Sequence, residues 1–147
     1  MGARAMSDAC IVPVRIEHIA VRRDRIAADV RLADERYAYT TPDLIASALE
    51  RFPCLLRHAC VNERGTSFGS VACRTSVPHL FEHMVIEEQV RRAVDESFSY
   101  IGKTRWVNRR FLHARVEVSY EDDLIALAAM RDAQAWLNAA LSASFGT

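Results

Sequence analysis

Two histidines and a glutamate occur close together in an otherwise apolar stretch, SVPHLFEHMVIEEQV, which runs from Ser76 to Val90. His79 and His83 are four residues apart, and Glu82 lies three residues after His79. Residues with these spacings share one face of a helix, so the three side chains are expected to be neighbours. Two neutral imidazoles can bind one zinc ion, and a nearby carboxylate can take a proton from water at that ion. The spacing therefore predicts a site for zinc or another divalent metal, with His79 and His83 as ligands and Glu82 as the general base.

The segment that carries these residues has the signals of a helix. Pro78 suits the first helical position, with Ser76 or Val77 before it as the cap, and no glycine or proline follows until Gly102. We expect the helix to run from about residue 78 to residue 94. An unpaired carboxylate is costly among so many apolar neighbours, which favours a bound metal. The alternative is a helix whose histidines are partly exposed and pair with nearby acidic side chains.

A catalytic zinc ion needs a third protein ligand beside the two histidines. Three acidic residues, Glu121, Asp122 and Asp123, begin the last predicted helix directly after a strand. Of these we expect Glu121 to complete the site, although acidic residues at a helix start also favour the helix dipole. A residue of a second copy could supply the ligand instead, which would make the protein a homo-oligomer.

Two further residues of ligand type lie earlier in the chain. His58 and Cys60 are two apart on a short predicted strand, so they are expected to point the same way. Both residue types bind zinc, but a buried structural role is the commoner use of such a cysteine. Glu87, one helical turn beyond His83, could orient a metal ligand or pair with Arg91.

A basic segment follows the motif helix, because residues 97–116 contain no acidic side chain. We expect Lys103 and Arg105 in this segment to bind a carboxylate of the substrate, a group that arginine grips with two hydrogen bonds. A solvated basic strand face explains the same pattern equally well.

Composition limits the class of protein. The chain has 147 residues, half of them hydrophobic, and we expect one domain over residues 1–147. The formal net charge is zero, so nothing predicts binding to nucleic acid or to an anionic membrane. The sequence shows no run of 18 apolar residues and no secretory signal, and we expect a cytoplasmic protein with reduced cysteines.

The remaining elements follow from periodicity and turn residues. Strands are predicted at residues 14–21, 26–32, 58–61 and 111–120, and further helices at residues 42–52 and 121–141. The resulting order β-β-α-β-α-β-α is typical of an α+β domain with a mostly antiparallel sheet and helices packed on one face.

Four segments in this order resemble the region of cyanophycin synthetases that precedes their ATP-grasp domain, and the resemblance covers about residues 42–141. RFPCLLRHAC resembles that family's Leu-Pro-x-Leu…His-x-Cys segment, and PHLFEHMVIEEQ resembles its His-x-x-Glu-His helix. GKTR resembles its Gly-Arg/Lys-Thr-Arg turn. ARVEVSYEDDLIALAA resembles its strand, Tyr-Glu-Glu turn and following helix.

The resemblance implies a metallopeptidase-like hydrolase, which in that family cuts a polymer of aspartate with arginine side groups to make primers. His-x-x-Glu-His is also the order of the inverzincin peptidases, and the helix resembles those of pitrilysin-type peptidases and S-ribosylhomocysteine lyase. We therefore expect a metallohydrolase-like fold and a peptide or small-molecule substrate, with no polymer synthesis. The alternatives are a metal-dependent lyase acting on a small metabolite, and a non-catalytic binding or regulatory module that retains the fold.

Overall fold

The computed structural model describes residues 11–145, and a four-stranded antiparallel sheet organises it. In chain order the elements are β1 (Val14–Val21), β2 (Arg25–Leu32), α1 (Pro42–Arg51), β3 (Ala59–Asn62), β4 (Gly65–Ser67), α2 (Val77–Arg92), β5 (Gly102–Asn108), β6 (His113–Ser119) and α3 (Asp123–Phe145). The large sheet has the order β1-β2-β6-β5, and β3 pairs with β4 in a separate hairpin. The expected α+β class with an antiparallel sheet is confirmed.

One face of the large sheet is apolar and forms the core. Alternate residues of its two central strands are buried there: Ile26, Ala28, Val30 and Leu32 on β2, and Ala114, Val116 and Val118 on β6. Helix α2 contacts β5 and β6, and α3 contacts β1 and α2, so both helices cover this face. The opposite face carries polar groups such as Asp29, whose carboxylate accepts hydrogen bonds from Arg115. Strand alternation thus separates a packed face from a solvated one.

The helices begin where their capping residues predict. The hydroxyl of Thr41 accepts a hydrogen bond from the Leu44 amide at the start of α1, and Ser76 does the same for the His79 amide of α2. Side-chain oxygens in this position satisfy amides that have no partner within the helix.

Among residues 11–145, no helix is both long enough and apolar enough to cross a membrane.

Helix α2 is enclosed on most of its sides. Its buried apolar residues are Val77, Pro78, Leu80, Phe81, Met84 and Val85, and its buried polar residues are Glu82, His83, Glu87, Glu88 and Gln89. The Glu88 carboxylate pairs with Arg51, Arg91 and Arg92. Buried polar groups generally need such partners, so the partners of the other polar residues indicate what each does.

Strand β5 was not predicted, since the GKTR segment resembled a turn. It is an edge strand whose inward residues are partly polar, Gly102, Thr104 and Trp106, so it lacks the apolar alternation of the other strands. The strand predicted to start at residue 111 starts at His113 instead. The chain turns before it, where Leu112 has a positive φ of 56°.

Candidate metal centre

Three side chains of ligand type converge at the start of α2. The ligand atoms of Cys60, His79 and His83 all lie within 4.8 Å of one another, and Cys60 Sγ is 3.4 Å from His79 Nε2. Donor atoms around a tetrahedral zinc ion are roughly 3.5 Å apart, given Zn–N of about 2.0–2.1 Å and Zn–S of about 2.3 Å. The three side chains could therefore hold one divalent ion once their donor atoms close towards it, and two imidazoles with one thiolate are among the ligand sets that bind zinc.

The β3–β4 hairpin brings Cys60 to the helix. The Asn62 amide group donates to the backbone oxygens of Cys60 and Ser67, at 3.1 Å each, which ties the two strands together. Asn62 Nδ2 also lies 3.6 Å from Cys60 Sγ, where it can donate to a thiolate. Phe68 follows the hairpin and is fully buried. Its ring centroid lies 4.3 Å from the centroid of the His83 ring and 5.0 Å from that of the His79 ring. This packing limits the rotation of both imidazoles.

His79 is oriented by a residue of the preceding turn. Its Nδ1 lies 2.9 Å from the Thr75 hydroxyl, and its Nε2 faces Cys60. Burial lowers the pKa of His79 below its usual value, so the imidazole is neutral. Neutral imidazole is the form that ligates a metal, and a hydrogen bond at one ring nitrogen commonly fixes the other as the ligand.

His83 has a buried nitrogen that lacks a hydrogen bond within the described part of the chain. Its Nδ1 lies 3.1 Å from His58 Nδ1, but no group in residues 11–145 hydrogen-bonds its Nε2. Burial, with smaller contributions from His79 and His58, lowers the pKa of His83 to about 2, so the ring is neutral. An unsatisfied buried polar atom costs about 1–3 kcal/mol. A metal ion between His83, His79 and Cys60 would satisfy this nitrogen.

Glu82 lies against the same histidine. Its Oε2 is 3.4 Å from His83 Nε2, and its Oε1 accepts a 2.7 Å hydrogen bond from the Thr104 hydroxyl of β5. Burial raises the pKa of Glu82 to about 7, and the Thr104 hydrogen bond opposes this rise. A carboxyl group with this pKa can both accept and release a proton at neutral pH, as a general acid–base catalyst must.

Gly102 makes room for the Glu82 carboxylate. A Cβ atom at this position would lie 2.6 Å from Glu82 Cδ, which is closer than packed atoms approach. The edge strand β5 therefore contributes two features to the site, the absence of a side chain at Gly102 and the hydroxyl of Thr104.

The structure does not bring Glu121, the expected third ligand, to the histidines. Glu121 is exposed, and it is not among the described residues that line the cavity beside His79 and His83. The neighbouring Asp122 caps α3 by accepting hydrogen bonds from the Leu124 and Ile125 amides. The nearby donor is instead Cys60, which needs no second copy of the chain to complete the cluster.

The site opens onto a cavity of about 860 Å³ between the β3–β4 hairpin and strand β5. Lys103 and Arg105 border this cavity. However, they alternate along β5 with Gly102 and Thr104, which face Glu82, so their side chains leave the strand on the opposite side. The two basic residues are thus at the rim of the cavity and not beside Glu82.

Several residues of the site carry no signal in the sequence. Phe68 and Thr75 belong to no motif, and Gly102 and Thr104 belong to the GKTR segment, whose resemblance to a turn does not link it to the histidines. His58 and Cys60 had a signal, their spacing of two residues. Both reach α2 from the same side, His58 towards His83 and Cys60 towards His79.

No family model, curated protein or solved structure matches this chain. Its function has to be argued from the site, since a fold alone supports many activities. The site combines a cysteine–histidine–histidine cluster, a buried carboxyl group with a raised pKa and an adjoining cavity.

Proposed function

We propose that the protein is a divalent-metal-dependent hydrolase of a peptide or amide bond, with zinc as the expected metal. Cys60, His79 and His83 hold the metal, and Glu82 is the general base. The observation that carries the proposal is the buried Nε2 of His83, which has no hydrogen-bond partner in the described chain and lies 3.4 Å from the Glu82 carboxylate. A fold that leaves a neutral imidazole nitrogen unpaired beside two other metal-binding groups supports a metal site.

The metal supplies two things when it is bound, polarisation of a substrate carbonyl and a lower pKa for water. The protein supplies a neutral ligand set, because burial keeps both imidazoles unprotonated. It also encloses the cluster, since His83 is buried and Phe68 covers one side of both rings. Electrostatic interactions are stronger in such a site than in water.

Glu82 moves the proton in the proposed reaction. The Thr104 hydroxyl holds Oε1, which leaves Oε2 on the side of His83 to accept a proton from the attacking water. The water oxygen bonds to the carbonyl carbon, the C–N bond then breaks, and the same carboxyl group returns the proton to the departing amine. In the metal-free protein its pKa of about 7 lies near neutral pH, where a carboxyl group can both accept and release a proton.

The cavity of about 860 Å³ suits a peptide segment or a small amide better than a single small ion. Its rim carries Lys103 and Arg105, and we propose that they attract a carboxylate of the substrate as it enters. The resemblance to the hydrolase region of cyanophycin synthetases supports an amide bond as the target.

A lyase or isomerase reaction on a small metabolite is the second candidate. The observation that favours it is again Glu82, because a buried carboxyl group with a pKa of about 7 beside a metal can move a proton next to a polarised carbonyl. The two reactions differ in their products, since hydrolysis adds one water to the substrate mass and isomerisation adds none.

Protein purified without chelator and supplied with zinc tests the proposal. We expect about one zinc per chain and cleavage of an aspartate–arginine polymer or of members of a peptide library, followed by mass spectrometry. Zinc binding without turnover on any of these substrates would favour a binding module. Failure to bind any divalent metal would contradict the proposal.

A further inference from the structure

We infer that Glu87 and His58 are positioning residues that hold His83 as the tautomer with a proton on Nδ1 and a free lone pair on Nε2. The purpose of this arrangement rests on the proposed function, because a metal needs that lone pair. The arrangement itself is a property of the protein without metal, and it can be tested there.

The three side chains form a continuous chain of close polar contacts. His58 Nε2 lies 3.0 Å from Glu87 Oε1, and His58 Nδ1 lies 3.1 Å from His83 Nδ1. Glu87 is itself fixed, because its other oxygen accepts a 3.2 Å hydrogen bond from the Cys54 amide and lies 3.8 Å from Arg91. All three side chains are largely buried, so no bulk water competes for these contacts.

The position of each proton follows from what each group can donate. An ionised carboxylate only accepts, so the proton between Glu87 and His58 belongs to His58 Nε2. The 3.1 Å contact between His58 Nδ1 and His83 Nδ1 needs one donor and one acceptor, and a neutral imidazole that already carries its proton on Nε2 can only accept at Nδ1. His58 Nδ1 is then an acceptor, and the contact with His83 requires the proton on His83 Nδ1. His83 Nε2 is left with its lone pair.

The opposite pair of tautomers is disfavoured at both ends of the chain. A proton on His83 Nε2 would have the Glu82 carboxylate as its nearest acceptor, but the 3.4 Å contact between Nε2 and Oε2 lacks hydrogen-bond geometry, so that buried proton would be poorly satisfied. At the other end, the lone pair of His58 Nε2 would face the Glu87 carboxylate at 3.0 Å, so two acceptors would be in contact. Each of these two contacts costs free energy, and neither arises when His83 carries its proton on Nδ1 and His58 carries its proton on Nε2.

The arrangement needs two elements of the fold. Glu87 and His83 lie four residues apart on one face of α2, and His58 enters from the segment before β3 to bridge them. Carboxylate partners of this kind keep a metal-binding imidazole in one orientation and raise its basicity. Thr75 has the corresponding role for His79, at 2.9 Å from its Nδ1.

Nitrogen-15 NMR of the metal-free protein tests the inference directly. The chain has five histidines, so the long-range spectra of the ring nitrogens contain few signals, and single substitutions assign them. We expect His83 to show a protonated Nδ1 and an unprotonated Nε2, and His58 to show the reverse. A protonated Nε2 on His83 would overturn the inference, whether or not the protein binds zinc.

Three variants separate positioning from general stability. Glu87→Ala should allow both tautomers of His58 and His83 and weaken zinc binding roughly 10–100-fold. Glu87→Gln retains an oxygen acceptor for His58 Nε2, so its tautomers and zinc affinity should stay closer to the wild type. Arg91→Ala removes the ion pair with Glu87 but keeps the carboxylate, and both tautomers should be unchanged.

Two outcomes distinguish this inference from the proposed function. Predicted tautomers in a protein that binds no metal would support the positioning chain and contradict the hydrolase. Zinc binding with wild-type tautomers in the Glu87→Ala variant would support the metal site and overturn the positioning roles of Glu87 and His58.

Discussion

At the scale of single residues, burial determines the chemistry of His83 and Glu82. The same apolar surroundings lower the pKa of His83 to about 2 and raise that of Glu82 to about 7, because burial disfavours the charged form of each group. A neutral imidazole and a carboxyl group that exchanges protons near pH 7 therefore lie side by side. Perturbed groups of this kind are common at functional sites.

The role of Glu82 is tested by Glu82→Gln, which preserves shape but cannot accept a proton. We expect this variant to bind zinc as the wild type does and to lose turnover by about 10²–10⁴-fold, the usual contribution of general acid–base catalysis. Glu50→Gln is the control, because Glu50 is exposed on α1 and does not line the cavity beside the histidines. Unchanged turnover would show that Glu82 is not the base, and loss of zinc would show that it is a ligand.

At the scale of elements, the edge strand β5 shapes the site from the side opposite the β3–β4 hairpin. Its inward residues leave space for the Glu82 carboxylate at Gly102 and hold it with the Thr104 hydroxyl. The hairpin supplies Cys60, and α2 supplies the histidines. The relative position of these three elements thus determines whether the proposed base and the proposed ligands face one another.

Gly102→Ala tests this dependence on β5. A Cβ atom 2.6 Å from Glu82 Cδ forces the carboxylate to move, so turnover should fall while zinc remains bound. Crowding in a packed region costs about 1–3 kcal/mol, so chemical denaturation should show a moderately less stable protein. Val107→Ala on the same strand is the control, because Val107 is exposed and should change neither property. Full turnover in Gly102→Ala would contradict this account of β5.

The sequence predicted the elements whose residues follow a strong period or carry caps. Strands β1 and β2, the helix starts at Thr41 and Ser76, and the shared face of His79 and His83 belong to this group. Strand β5 was missed because its inward residues include a glycine and a threonine, which do not give the apolar alternation of a buried strand. Both residues instead contact Glu82. The sequence favoured Glu121 over Cys60 as the third metal ligand, because no local pattern indicates that the β3–β4 hairpin packs against α2.

At the scale of the whole molecule, a bound metal would link the hairpin to the helix. Cys60 lies on β3, whereas His79 and His83 lie on α2, and the core under them is continuous with the large sheet. Any ligand that binds only the folded state raises the free energy of unfolding. Zinc is therefore expected to stabilise the protein as a whole.

Denaturation with and without zinc measures this linkage. At free zinc 100 times the dissociation constant, the free energy of unfolding should rise by about 2.7 kcal/mol. Cys60→Ser should lose most of this gain, whereas Cys73→Ser should retain it, because Cys73 is exposed and outside the cluster. An equal gain in both variants would place the zinc elsewhere.

The most direct test of the central claim is the X-ray absorption spectrum of the zinc-loaded protein. The account predicts one sulfur at about 2.3 Å and two imidazole nitrogens at about 2.0–2.1 Å around each zinc. Cys60→Ser should remove the sulfur and leave the imidazoles. A zinc shell made only of oxygen and nitrogen in the wild type would contradict the assignment of Cys60, His79 and His83 as the ligands.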